Sequence, residues 1–127
     1  MSFRKTLTVA EQAMFTGISG NMAPLYVDQR AARQAGFDGM LAFELNAVAL
    51  ATTALNRACG PAWRIAGLQI DFAEHVLVGE TVESRIVVTH FADDRVTCSV
   101  TCTLGDGTVV ASGTASLAPV KPRASHV

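Results

Sequence analysis

The chain has 127 residues, 50% of them apolar and 17% charged, with a formal net charge of -1 at neutral pH. That length suits one domain, residues 1–127, with a substantial core. The charge balance gives no electrostatic attraction to nucleic acid or to an anionic membrane surface, so neither is an expected partner.

Met1-Ser2-Phe3-Arg4-Lys5-Thr6 leads into no apolar run, and the most apolar stretch, Met40 to Leu55, is broken by Glu44, Asn46, Thr52 and Thr53. Both observations argue against a leader or a membrane span and for a soluble cytoplasmic protein. Cysteines number 3. Cys98 and Cys102 fall on one face of one strand, too far apart along it to bridge, so reduced thiols are expected. With no Cys-x-x-Cys pair and with His75, His90 and His126 scattered, no metal and no cofactor are expected.

In chain order, Thr8-Val9-Ala10-Glu11 has the form of a capping box, and Gln12 to Ile18 continue a short helix that stops at Ser19-Gly20-Asn21. Asn21 to Tyr26 reads as extended or looped, because Pro24 disfavours helix at Ala23. Asp28 can cap a second short helix that Gly36 ends. From Met40 to Ala58 the residues favour helix and are apolar on nearly every side, and Cys59-Gly60-Pro61 stops the run. A helix of that kind has to be buried.

After it the period changes to two. Ala66, Leu68, Ile70 and Phe72 alternate with Gly67, Gln69 and Asp71, and Val96, Cys98, Val100, Cys102 and Leu104 alternate with Thr97, Ser99, Thr101 and Thr103. Ala92-Asp93-Asp94-Arg95 and Gly105-Asp106-Gly107 turn the chain between strands. The last strand places Val109, Ala111, Gly113, Ala115 and Leu117 on one face. From Lys121 the tail is polar and should fray. One buried helix followed by four or five antiparallel strands is an α+β layout, and a sheet curled around the helix is the hotdog arrangement.

Ser19-Gly20-Asn21-Met22-Ala23-Pro24-Leu25-Tyr26-Val27-Asp28, then Ala31 to Phe37, then Gly39-Met40-Leu41, resembles the MaoC-like (R)-specific enoyl-CoA hydratases and related dehydratases. Phe72-Ala73-Glu74-His75-Val76-Leu77-Val78-Gly79-Glu80-Thr81 resembles the family's approach to a Gly-Asp-Thr turn. The likeness runs from Thr8 to Pro119 and implies the hotdog fold and an acyl thioester, on CoA or acyl carrier protein, as substrate. The family's motif is Asp-x-Asn-Pro-x-His. Asn21 stands at the aspartate, Ala23 at the asparagine and Tyr26 at the histidine, so the acid and base it supplies are replaced. The segment between Phe37 and Gly39 is also shorter than the family's.

Glu44 is the leading catalytic candidate. Met40, Leu41, Ala47 and Val48 surround it at helical spacing, which would put its carboxylate on a buried stripe with a raised pKa suited to acid or base work. Gly39-Met40-Leu41-x-x-Glu44 also resembles the Gly-Val-Leu-x-x-Glu of FabZ-type hotdog dehydratases, whose helix glutamate is catalytic and whose partner histidine has no counterpart here. The plainer reading is a glutamate bonded to a loop or across a dimer interface.

Asp38 could sit near a thioester carbonyl or simply cap the helix. Gly39 and Met40 offer helix N-terminal amides to an oxyanion, as any helix start does. Tyr26 could bond a ligand carbonyl or pack on Pro24, and Asn21 could orient water or end a helix. His75, His90 and Trp63 read as structural or rim residues, and Arg57, Arg64 and Arg85 could meet CoA phosphates or equally be ordinary surface cations.

The expectation is therefore a homodimeric or larger homo-oligomeric enzyme that hydrates or dehydrates an acyl thioester, with Glu44 as base. The alternatives are a hotdog thioesterase, a non-catalytic binding or pairing subunit, and a site rebuilt by Tyr26 and Asn21 for a bulkier ligand.

Overall fold

The computed structural model describes residues 1–124 and runs β1 (Ser2–Thr6), α1 (Val9–Ser19), α2 (Pro24–Val27), α3 (Gln29–Gln34), α4 (Glu44–Cys59), β2 (Trp63–Phe72), β3 (Thr81–Ala92), β4 (Arg95–Leu104) and β5 (Val109–Pro119). All pairings are antiparallel, and the order across the sheet is β1-β3-β4-β5-β2. Of the polar tail, the described residues from Lys121 are exposed and in no element; residues 125–127 lie outside the described residues.

Strict alternation places β4 at the centre. Val96, Cys98, Val100 and Cys102 are at most 2% exposed, while the hydroxyl residues between them face outward. Against that inner face lies α4, through Ala47, Leu50, Ala51, Ala54 and Leu55, a stripe at three- and four-residue spacing that is almost wholly buried. Three alanines in that stripe let the helix axis come close to the strands. Leu55, fully buried, contributes about 1.5–3 kcal/mol by leaving water.

The sheet curls far enough for Trp63 on β2 to meet Phe91 on β3 edge to face at 6.0 Å, although two strands separate them in the sheet. In a flat sheet those strands would be about 14 Å apart. The curl needs a missing atom: a Cβ at Gly113 would lie 1.8 Å from the backbone oxygen of Gln69, so only glycine permits β5 to approach β2 this way.

Five expectations change. β1 is an additional strand, paired along β3, which its single apolar residue, Phe3, does not announce. Pro24 does keep Ala23 extended, at ψ 134, but itself opens the short helix α2 as its first residue, where a missing N–H costs nothing.

The central helix starts at Glu44, not Met40, because residues 40–42 are drawn into an extended bridge: the Val78 N–H donates to the Met40 oxygen at 2.9 Å and the Ala42 N–H to the Val76 oxygen at 2.7 Å. Nor is α4 buried all round, since Leu45 is 55% exposed. Finally, irregular pairing at Ile65/Gly67 and at Cys102/Thr103 shifts the faces of β2 and β5. Ala66 and Val109 are exposed and Val110 is buried in place of Val109.

Candidate functional site

The elements before the sheet converge on the start of α4. The capping box at Thr8 and Glu11 forms as expected, with the Thr8 N–H donating to the Glu11 carboxylate at 2.9 Å. Lys5 bonds the same carboxylate, and that partner, with Thr8, holds the Glu11 carboxyl at about 2. Asp28 caps α3 through the N–H groups of Arg30 at 2.9 Å and Ala31 at 3.2 Å.

Between these anchored helices Tyr26 lies flat on Phe43, rings 4.6 Å apart and 4° from parallel, and Phe43 in turn stacks on Phe15 at 4.5 Å. The stack aims the Tyr26 hydroxyl at Glu44, to whose Oε1 it donates at 2.6 Å. With its proton shared into a carboxylate, and with burial and the Glu44 charge acting the same way, the Tyr26 phenol is pushed up from 10.0 to about 12. At neutral pH Tyr26 is a donor.

Glu44 is exposed, so the expected desolvated carboxylate is not there. The cause is the later helix start: as first residue of α4 its side chain leaves the edge of the core, while Ala47 and Leu50 take the buried stripe. It does border an apolar cleft walled by Leu7, Phe43, Ala47, Val76 and Ala111, with Phe72 and a second carboxylate, Glu74, on its rim. The cleft holds about 10 Å³, the space of one water. Tyr26 also borders an open, mostly apolar groove of about 270 Å³ between α1 and α2, lined among others by Val9, Ala13, Met22, Val27 and Met40.

Of the other sequence candidates, Met40 lines that groove beside Tyr26. Asp38 is exposed in a bend six residues before α4 and caps no helix, and Gly39 and Met40, in and after that bend, are not helix-end donors, all because α4 begins later. Asn21 is exposed and closes its own turn, its Oδ1 accepting the Ala23 N–H at 3.0 Å. His75 lies edge-on to Phe37, Arg57 over the ring of Phe3, and Arg85 beside Glu83. Among the described residues no group of three His, Cys, Asp or Glu is gathered to hold a metal ion. No described helix is long and apolar enough to cross a membrane.

Sequence reasoning passed over Gln12, which is 4% exposed. Its Nε2 donates to the backbone oxygens of Tyr26 and Leu41, both at 2.7 Å, and its Oε1 accepts the Phe43 N–H at 3.2 Å. A glutamine between Val9, Ala13 and Thr16 on one helical stripe was the available signal.

Residues 2–111 match the family model described as MaoC like domain. No curated protein sequence matches the chain. Among solved structures, the chain is similar to unliganded R-hydratase PhaJ1 from Pseudomonas aeruginosa, with TM-score 0.88 and 20% identity over 100% of this chain and 86% of that one. The (R)-hydratase from A. caviae involved in PHA biosynthesis gives TM-score 0.88 and 22% identity, covering 94% of this chain and 93% of that one. A C-terminally truncated HadBC (3R-hydroxyacyl-ACP dehydratase) complex from Mycobacterium tuberculosis gives 0.75 and 21%, covering 91% and 90%. At these identities the three share the hotdog fold with this chain.

Proposed function

The chain belongs to the MaoC-like domain family, and from that premise we propose that it adds water to, or removes it from, the α,β bond of an acyl thioester carried on CoA or acyl carrier protein. One observation carries the reading: the 2.6 Å bond from Tyr26 to Glu44 beside a cleft with room for one water. Glu44 takes a proton from that water as its oxygen bonds to the β-carbon, and returns the proton to the α-carbon; dehydration is the reverse. Tyr26, protonated across the physiological range, holds the carboxylate in place. The N–H groups of Glu44 and Leu45 in the first turn of α4 face the developing oxyanion, the part first assigned to Gly39 and Met40. The apolar part of the acyl group lies in the groove bordered by Tyr26 and Met40.

A second copy of the chain completes the assembly in this reading. Leu45 on α4 is 55% exposed, and the free edge strand β2 leaves Leu68 39% and Phe72 44% exposed. Two β2 strands paired about Leu68, each with its irregularity at Ala66, would set Arg64 of one copy opposite Asp71 of the other.

The test is to incubate purified protein with 2-enoyl and saturated CoA thioesters and follow water addition and free thiol by mass spectrometry, beside Glu44→Gln. Water addition that falls at least ~100-fold in the variant supports the proposal. Free CoA would reassign the same pair to thioester hydrolysis.

One observation favours a second reading: Asn21 is turned into its own backbone and Tyr26 is a donor, so neither position of the family motif offers a base. A pairing subunit would be silent alone and active only with a related chain; the similar HadBC structure is that of a complex.

A further inference from the structure

We infer that Gln12 is the positioning residue of the Tyr26–Glu44 pair: one buried side chain ties together the two backbone segments that carry the pair and so sets the distance between phenol and carboxylate. The inference rests on the reading of Tyr26 and Glu44 as the working groups. Tyr26 and Glu44 are 18 residues apart on separate helices, α2 and α4, and α2 is only 4 residues long. A helix of one turn has no stability of its own. Something outside it has to hold it.

Gln12 does so with every polar atom it has in play. Its Nε2 donates to the backbone oxygen of Tyr26 on one segment and to that of Leu41 on the other, each at 2.7 Å, and its Oε1 accepts the N–H of Phe43, the residue directly before Glu44, at 3.2 Å. A primary amide is the side chain that offers two donors and an acceptor together; a carboxylate has no donor, and a methionine has no donor and only a weakly accepting sulfur. At 4% exposure, water cannot replace these bonds without opening the structure. Phe15 and Phe43 add the lateral constraint, since the three stacked rings fix the tilt of Tyr26 while Gln12 fixes its backbone.

The arrangement has a direct spectroscopic readout, because Tyr26 is the single tyrosine of the chain. The rise of phenolate absorbance with pH therefore reports this one hydroxyl. In the wild type it should titrate at about 12, pushed up first by the bond to Glu44. Gln12→Met, which keeps the length and loses all three bonds, should move the titration down by about one to two pH units toward the ordinary phenol value, and lower kcat about tenfold on an acyl thioester while KM changes little.

Thr8→Ala is the control, since it removes the threonine hydroxyl's bond to Glu11 while leaving the Gln12 N–H bonded to the backbone oxygen of residue 8 and the three side-chain bonds of Gln12 intact, and it should leave the tyrosine titration where it is. A folded Gln12→Met protein that still titrates at about 12 overturns the inference. If that variant does not fold, hydrogen exchange of the wild-type Gln12 side-chain amide decides the matter. Protection equal to that of the Phe43 backbone N–H supports the clamp, and free exchange refutes it. Neither titration nor exchange uses a substrate, so a shifted titration with no turnover of any acyl thioester would retain the clamp and remove the enzymatic reading.

Discussion

The half of the molecule made of α4 and the curled sheet and the half running from Thr8 to Phe43 are held by different forces. The first is a dry interlock of Leu50, Leu55, Val82, Val96, Val100 and Leu117, spread over residues far apart in sequence. The second has three short helices, of which α1 buries only Gln12, α3 only Ala32 and α2 nothing. Stacked rings, caps and one glutamine do the work there. Most of the stability resides in the first half, whereas the placing of Tyr26 against Glu44, at the head of α4, depends on the second, so substitutions should separate the two properties.

The sharpest way to break the first half is Gly113→Ala. A methyl group placed 1.8 Å from the Gln69 oxygen forces β5 away from β2, and a loss on the order of 4 kcal/mol or more is expected in urea unfolding followed by circular dichroism. Leu55→Ala comes next, at about 2–5 kcal/mol, because the site is fully buried and its neighbours can only partly collapse. Both should lower turnover only by lowering the folded fraction.

In the second half, Thr8→Ala should cost roughly 1 kcal/mol. The same cap gives an acid signature. The Glu11 carboxyl lies at about 2 in the fold against 4.5 ordinarily, so its contribution is complete above pH 4.5 and fades as pH falls toward 2.

Smallest in stability is Glu44→Gln, within about 0.5 kcal/mol at neutral pH, since the group is exposed. Its mark is alkaline. Tyr26 ionises at about 12 rather than 10.0, so the bond stabilises the fold below pH 10 and is lost as pH rises through 12. That dependence should shrink in the variant to the part that burial alone supplies, as thermal melts at high pH would show. A large neutral-pH destabilisation by Glu44→Gln would mean that the two halves are not separable in this way.

The same division governs what was legible in the sequence. β4 could be read residue by residue, because its alternation and its burial are the same pattern. The caps at Thr8 and Asp28 were legible for a similar reason: a cap is a contact between residues two or three apart. The start of α4 was not, because what unwinds residues 40–42 is a bridge to Val76, Leu77 and Val78, more than thirty positions later. From that one error followed the expected cap at Asp38, the expected helix-end amides of Gly39 and Met40 and the expected burial of Glu44. The site's own contacts, Tyr26 to Glu44 and Gln12 to Phe43, are likewise products of tertiary packing, and no local propensity encodes them.

The contact between Trp63 and Phe91 has a use of its own. Trp63 is the single tryptophan of the chain, and it meets Phe91 only when the sheet is curled. Its fluorescence is thus a built-in gauge of closure in one half, as the absorbance of Tyr26 is of order in the other. Recorded together through one denaturant titration, the two signals show whether the halves come apart at a single midpoint or whether the segment carrying the site lets go first.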